Sequence, residues 1–346
     1  MMLETIVRKL TDFYKKQTDH FADTGILDLN KISSGWETEV YSFDIENDNQ
    51  RENLILRTFP GTGGKEKAKY EFGLIKNLTA NDYPVPRPHH LISDEKTLGC
   101  PFIIMERLTG GTLWGAMKEA VDVEKLRLWS LFTRCFVRLH GLDWKVVVPN
   151  PSRYEFNDLF EYIEKPLQYE KRVVAEYKLD EFLEVVEWLE ERLNTVPGEQ
   201  LSLVHYDYHP ENIVLSTEKK PFVIDWSVSR VTDYRVDLGW TLLCESTYGP
   251  REIRNVILNE YQHFSKSRVQ DIEFFEIVAA LRRLRVMAIS LTGKDDVVGS
   301  RPEVDAILEG DTKHVDGVIE ILKDRTGITL HRFEAMVGTA STSTKS

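Results

Sequence analysis

One stretch near the middle of the chain, Leu203 to Trp226, constrains it more than any other. It reads LVHYDYHPENIVL, then a polar turn, then PFVIDW. The spacing His-x-Asp-x-x-x-x-Asn, a hairpin, and an Asp ending an apolar strand is that of phosphoryl-transfer catalytic loops. The chemistry explains the residue types. In such a loop an Asp, at the place of Asp207, must accept or orient an acceptor hydroxyl. An Asn five residues further round, at the place of Asn212, can hold a metal ion. A second Asp from the next hairpin, at the place of Asp225, would link that metal to the donor phosphates. The transferring group is negative and its transition state loose, so positioning and charge neutralisation supply most of the rate. The competing reading is that Asp207 and Asn212 cap turns and Asp225 caps a strand end. Chance gives the His-Asp-Asn spacing roughly 0.02 times in such a chain, which weighs against that reading.

Periodicity around this segment gives the organisation. Leu3, Ile6, Val7, Leu10, Phe13 and Tyr14 recur at helical spacing and predict an amphipathic first helix. Val40–Ile45 and Leu54–Arg57 read as short strands joined by a polar turn over 46–53. A Gly-rich turn, Gly61–Gly64, precedes a helix over about 65–78, and Pro84, Pro86 and Pro88 form an extended connector. Residues 90–93 and 102–106 read as two further strands. Past Gly110-Gly111 the pattern becomes helical, with apolar helices over 126–139 and 182–193, the β segment 203–224, and helices from near Asp237 to about Leu322. The tail, residues 339–346, is polar and expected to be disordered.

The chain has 346 residues and a formal net charge of −12, from 44 Lys+Arg against 56 Asp+Glu. That balance argues against a general nucleic-acid binder, which needs a basic surface. No apolar run approaches the roughly 20 residues of a membrane span, and charge from Glu4 and Arg8 onward argues against a signal peptide. Cys100, Cys135 and Cys244 are odd in number and widely spaced, which points to a reducing compartment and a cytoplasmic location.

HYDYHPEN (205–212), VIDW (223–226), VDLGW (236–240) and RLHGLD (138–143) together resemble the aminoglycoside phosphotransferase-like family of small-molecule kinases, over roughly residues 30–245. The resemblance implies an α+β, bilobal, protein-kinase-like fold. Residues 1–107 would form a nucleotide-binding lobe with a small antiparallel sheet and a helix. Residues 108–338 would form a larger helical lobe holding the catalytic loop and the acceptor pocket. It implies Mg2+ with ATP or GTP as donor, Asp207 as the catalytic Asp, and Asn212 and Asp225 as metal ligands. His205 would brace the loop, and Asp237 would be the buried Asp that hydrogen-bonds it. Ser34 and Gly35 fall where a phosphate-covering loop would lie, with one glycine in place of three. Arg57 takes the place of the usual strand Lys, Glu71 is its helix partner, and Glu106 to Leu108 resemble the hinge that meets the base. His209 and His140 read as structural, and Trp226 as a packing aromatic replacing the Phe of D-F-G.

Only eleven residues, Trp226 to Val236, separate Asp225 from Asp237, too few for a regulated activation segment with its A-P-E anchor. This favours a small-molecule hydroxyl acceptor, on a monomer or homodimer with no nucleic-acid or membrane partner. Glu245, Tyr248, Asp271 and Glu273 are candidate pocket residues. Their acidity suits an amine-bearing sugar, an aminoglycoside or a choline-like cation, while homoserine, macrolides and other hydroxyl compounds stay open. Two alternatives stand beside a kinase of small molecules: a nucleotide-binding pseudokinase scaffold and an atypical protein kinase.

Overall fold

The structure, a computed structural model, describes residues 3–16, 25–34, 38–47, 50–154, 161–292 and 302–343. Helix α1 (Leu3–Lys15) covers a five-stranded antiparallel sheet made of β1 (Gly25–Ser34), β2 (Glu39–Asn47), β3 (Gln50–Thr58), β4 (Pro88–Ile92) and β5 (Phe102–Glu106). The strand order is β1-β2-β3-β5-β4, with α2 (Gly64–Ala80) connecting β3 to β4.

Period-two alternation decides which side chains face which core. Leu54 and Leu56 of β3 and Phe102 and Ile104 of β5 pack with Ile6, Leu10 and Tyr14 of α1. Ile103 and Met105 of β5 face the opposite way, with Leu74, Ile75 and Leu78 of α2, and Ile55 packs against that second cluster. Each such fully buried apolar side chain stabilises the fold by about 1.5–3 kcal/mol. Arg57 follows Leu56 and therefore shares the α2 face, where a charged group is exceptional. This alternation brings a guanidinium into the interior. The polar turn expected over 46–53 is tighter than its length suggests, because β3 already pairs with β2 from Gln50.

Past the hinge, β6 (Gly110–Thr112) joins β8 (Ile213–Ser216) and β9 (Pro221–Val223) in a small sheet. Gly110 has φ 148°. A Cβ there would lie 1.8 Å from the Leu215 carbonyl oxygen, so only glycine lets the strands meet. The helical lobe continues with α3 (Leu113–Glu119), α4 (Asp122–His140), α5 (Trp144–Val147), α6 (Glu161–Glu176) and α7 (Phe182–Leu193). Strand β7 (Leu201–Val204) pairs with β10 (Arg230–Asp233), and α8 (Tyr234–Tyr248), α9 (Ile253–Ser265) and α10 (Ile272–Leu291) follow. The last three helices are α11 (Pro302–Leu308), α12 (Lys313–Thr326) and α13 (His331–Ser343). At Gly239 the main chains of α8 and α10 touch: a Cβ would lie 2.7 Å from the Phe275 carbonyl carbon and 2.8 Å from its oxygen. Among the described residues no helix is long and apolar enough to cross a membrane.

The expectation of a disordered tail over 339–346 is corrected for most of its length, because α13 continues through Ser343. Its polar residues turn their hydroxyls inward: Thr339 Oγ1 donates to the Ala335 carbonyl at 2.9 Å and Thr342 Oγ1 to that of Gly338 at 3.1 Å. Phe333 and Val337 anchor the helix in the main core. Residues 344–346 lie outside the described residues.

Candidate active site

Strand β7 delivers the chain into His205, and the loop that follows is pinned from below. The backbone N–H groups of His205 and Tyr206 both donate to the Asp237 carboxylate, at 2.7 and 2.8 Å. Asp237 is fully buried in the first turn of α8, a helix capped by Asp233, which accepts from the Arg235 N–H at 3.0 Å. His140 Nε2 lies 3.3 Å from Asp237 Oδ2, and its Nδ1 lies 2.8 Å from the Tyr261 hydroxyl. These bonds hold Tyr206 at φ 69°, a left-handed conformation that costs a bulky residue free energy and persists only when its surroundings enforce it. His205 Nε2 donates to the Ile224 carbonyl at 2.8 Å, which fixes its tautomer and ties the loop to the strand leading to Asp225. Tyr208 hydroxyl donates to the Phe132 carbonyl at 2.9 Å, and its own carbonyl accepts from Thr241 Oγ1 at 2.7 Å.

On this base Asp207 faces outward, 37% exposed at its side chain. Trp240 Nε1 donates to Asp207 Oδ1 at 3.1 Å. Asn212 Nδ2 donates to the Asp207 carbonyl at 2.9 Å and lies 3.0 Å from His209 Nε2. That His209 nitrogen is also 3.5 Å from Asp207 Oδ2. A proton on it serves Asp207 and opposes the amide; a bare nitrogen does the reverse. Burial works against ionisation of Asp207, but the hydrogen bond and charge of His209, with the charges of Arg282 and His205, outweigh it. The carboxyl is held well below the usual range.

Asp225 comes alongside through the backbone: the Ile224 N–H donates to the Asn212 carbonyl at 2.9 Å. Asp225 sits at φ 62°, and its Oδ1 accepts from Arg57 Nη2 at 2.7 Å and from Ser227 Oγ at 2.9 Å. Arg57 Nε lies 3.4 Å from Glu71 Oε1, an ion pair rather than a good hydrogen bond. One buried guanidinium thus spans two carboxylates. Burial alone would raise Asp225, yet the Arg57 charge prevails and lowers it, while burial pushes Glu71 up to about 7 even beside Arg57. Trp226 is fully buried and donates from Nε1 to the Val223 carbonyl at 3.1 Å, a packing aromatic.

The residues fit a hard divalent cation. Among the described residues Asn212 Oδ1 and Asp225 Oδ2 make no hydrogen bond within the chain, although their neighbouring atoms do. Mg2+ takes oxygen ligands, commonly one or two carboxylates completed by phosphates. No cluster of three or more His, Cys, Asp or Glu side chains suited to a metal occurs among the described residues.

At the hinge, the Glu106 N–H donates to the Arg87 carbonyl and the Arg107 N–H to that of Asn53, at 2.9 and 3.0 Å. The Glu106 side chain turns back to accept from the Arg87 N–H at 3.1 Å. Leu108 is the first hinge position whose N–H makes no hydrogen bond among the described residues. A cavity of about 430 Å³ borders the hinge, lined by Arg51, Glu106, Leu108, Ser216, Lys220 and Phe222, and none of Arg57, Asp207, Asn212 or Asp225 lines it. Ser34 ends β1 opposite Glu39, and Gly35 lies outside the described residues.

The four expected pocket residues are not brought together. Glu245 is buried on α8, where burial pushes its carboxyl up to about 7 against the charge of His209. Tyr248 stacks on His314 at 3.7 Å, and its hydroxyl accepts from Arg283. Asp271 and Glu273 are displaced: they start α10, eleven and nine residues before Arg282 and so about 16 and 14 Å from it along the axis. What reaches the loop from α10 is Arg282, whose Nη1 donates to the Tyr206 carbonyl at 2.8 Å. Arg282 and Trp240 were not singled out by sequence. The W of VDLGW was the one available sign of the latter.

An antiparallel sheet with a cation on its inner face, a glycine hinge, and a carboxylate–amide–carboxylate loop on a helical lobe define a kinase-like phosphotransferase fold. The model of the phosphotransferase enzyme family, APH, matches residues 28–273, and the chain belongs to that family. A protein from Ralstonia eutropha, assigned as an aminoglycoside phosphotransferase, superposes with a TM-score of 0.68 at 18% identity, covering 92% of this chain and 98% of that one. ADP-bound aminoglycoside phosphotransferase APH(2'')-Ib superposes with a TM-score of 0.57 at 18% identity, over 94% and 98% of the two chains. Mouse (Mus musculus) acyl-CoA dehydrogenase family member 10 is 23% identical over 229 residues, 64% of this chain. The chain spans only 20% of that protein's length.

Proposed function

We propose that the chain transfers the γ-phosphoryl group of ATP or GTP to a hydroxyl of a small molecule. The observation that carries this reading is the convergence of Asp207, Asn212 and Asp225 on one loop and hairpin, with Arg57 reaching Asp225 from the other lobe. Arg57 would bind donor phosphate, bidentately as guanidinium does, and Glu71 would keep it in place. The Leu108 N–H would meet the base. Asn212 and Asp225 would hold Mg2+, which neutralises the phosphates when bound. Asp207, kept ionised by its surroundings, would orient the acceptor hydroxyl and take its proton late, as a loose transition state allows. Trp240 and Asn212 fix its position. The ADP-bound relative supports use of a nucleotide donor. The short path from Asp225 to Asp237 supports a small acceptor over a protein.

Asp207→Ala tests the assignment. Loss on the order of a thousandfold in kcat is expected, with the thermal midpoint and its MgATP-dependent upshift retained. Turnover near that of the wild type would sink the role given to Asp207. A metal-dependent nucleotide shift with no ADP release for any acceptor would favour the pseudokinase scaffold reading.

A further inference from the structure

Several arginines of this protein are held by carboxylates. Arg57 pairs with Glu71 and Asp225, Arg235 with Asp233 and Glu199, Arg254 and Arg325 with Glu276, and Arg285 with Glu170. Arg230 and Arg282 have no such partner: among the described residues no carboxylate oxygen lies within 4.0 Å of either guanidinium. Both pack on the ring of Tyr206, the residue before Asp207. The Arg282 Cζ lies 3.9 Å from the centre of the Tyr206 ring and 4.0 Å from that of Trp240. The Arg230 Cζ lies 3.7 Å from the same Tyr206 ring. Tyr206 immediately precedes Asp207, and Trp240 is the indole that holds Asp207 Oδ1.

We propose that the phosphoryl acceptor is an anion, a hydroxyl compound bearing a carboxylate or phosphate group that Arg282 and Arg230 grip beside Asp207. This rests on the phosphotransferase reading and deepens it. Two like charges stacked on one ring repel, and burial further disfavours the Arg282 cation. An incoming anion relieves both. Guanidinium forks match carboxylate and phosphate with paired hydrogen bonds. The aromatic platforms fix both forks, so little side-chain freedom is lost on binding. A polycationic acceptor would meet these charges with repulsion. The acidic groups that favoured a cation do not offset them. Asp271 and Glu273 lie about three and two and a half turns of α10 away, and burial holds Glu245 toward its neutral form.

The test is a thermal-shift and turnover series on the full chain with saturating MgADP or MgATP, so that the donor site is filled. The probes are malate, lactate and glycerol phosphate, set against choline and kanamycin. An upshift with at least one anion is expected, and its loss in Arg282→Gln and in Arg230→Glu. Carboxylate and phosphate probes separate the two anion types. Where turnover is measured, ADP release should show an acceptor KM raised about tenfold or more in either variant with the donor KM unchanged. Arg230 is exposed on β10, so its variant keeps the test decisive if Arg282→Gln fails to fold. Anion shifts equal in wild type and both variants, no anion shift at all, or ADP release with choline or kanamycin alone would overturn the proposal while leaving the phosphotransferase reading intact. Failure of the wild type to bind MgATP would overturn both.

Discussion

Arg57 and Asp225 stand 168 residues apart in the chain, and 2.7 Å separates Nη2 of one from Oδ1 of the other. The contact joins the sheet lobe to the helical lobe across the cleft. It also occupies an oxygen of the carboxylate assigned to the metal. Nucleotide binding would therefore exchange one partner of Arg57 for another rather than capture a free cation.

Arg57→Ala leaves Glu71 and Asp225 without the charge they share. Because Arg57 and Glu71 are buried, the unfolding free energy should fall by about 3 kcal/mol, read by urea denaturation. Donor affinity should drop about tenfold or more, as the loss of one charged phosphate contact implies. Unchanged midpoint and unchanged MgATP affinity would show that the bridge is idle.

Asp237→Asn is nearly isosteric but replaces one acceptor oxygen with an amide facing N–H donors. The His205 and Tyr206 amides cannot both be satisfied, which should cost about 2–3 kcal/mol. With Tyr206 no longer forced to positive φ, Asp207 loses its placement. We expect kcat to fall by more than the donor KM changes. A variant with wild-type kcat would show that the loop holds its shape without this anchor.

Glu245 supplies a pH dependence of stability. Its carboxyl moves from the ordinary 4.5 up to about 7 on folding, through burial. The folded chain binds this proton more tightly than the unfolded chain. The contribution is thus fully present below about pH 4.5 and is lost as pH rises through 7, a change on the order of 3 kcal/mol. Glu245→Gln should flatten the midpoint-against-pH curve over that interval. Parallel curves for the two proteins would refute the burial effect.

The catalytic loop is legible in sequence because its chemistry is local. His205, Asp207 and Asn212 lie on one turn, and Asp225 ends the strand that this turn hydrogen-bonds. Arg57 is legible for a similar reason, since it terminates an apolar strand that alternation turns inward. Arg282 is not legible. Helix α10 is buried around most of its circumference, so no apolar stripe marks a face against which Arg282 would stand out. The same lack of a stripe let Asp271 and Glu273 pass for pocket residues, although they belong to the far end of the helix. The tail reads as disordered from its composition, but the hydroxyls of α13 bond to its own carbonyls, and Phe333 and Val337 earlier in the same helix find the core.

The glycine contact between α8 and α10 bears on how such a protein changes its acceptor. Trp240 follows Gly239 directly, and Arg282 lies seven residues, about two turns, beyond Phe275. Main chain against main chain at that crossing works as a fixed gauge, setting the gap between the indole on Asp207 and the guanidinium on α10 without help from any side chain. Selection for a wider or narrower acceptor has no slack to take up there. It must act by exchanging the residues carried on the two helices, and a single methyl group at position 239 would reset the gauge for every acceptor at once.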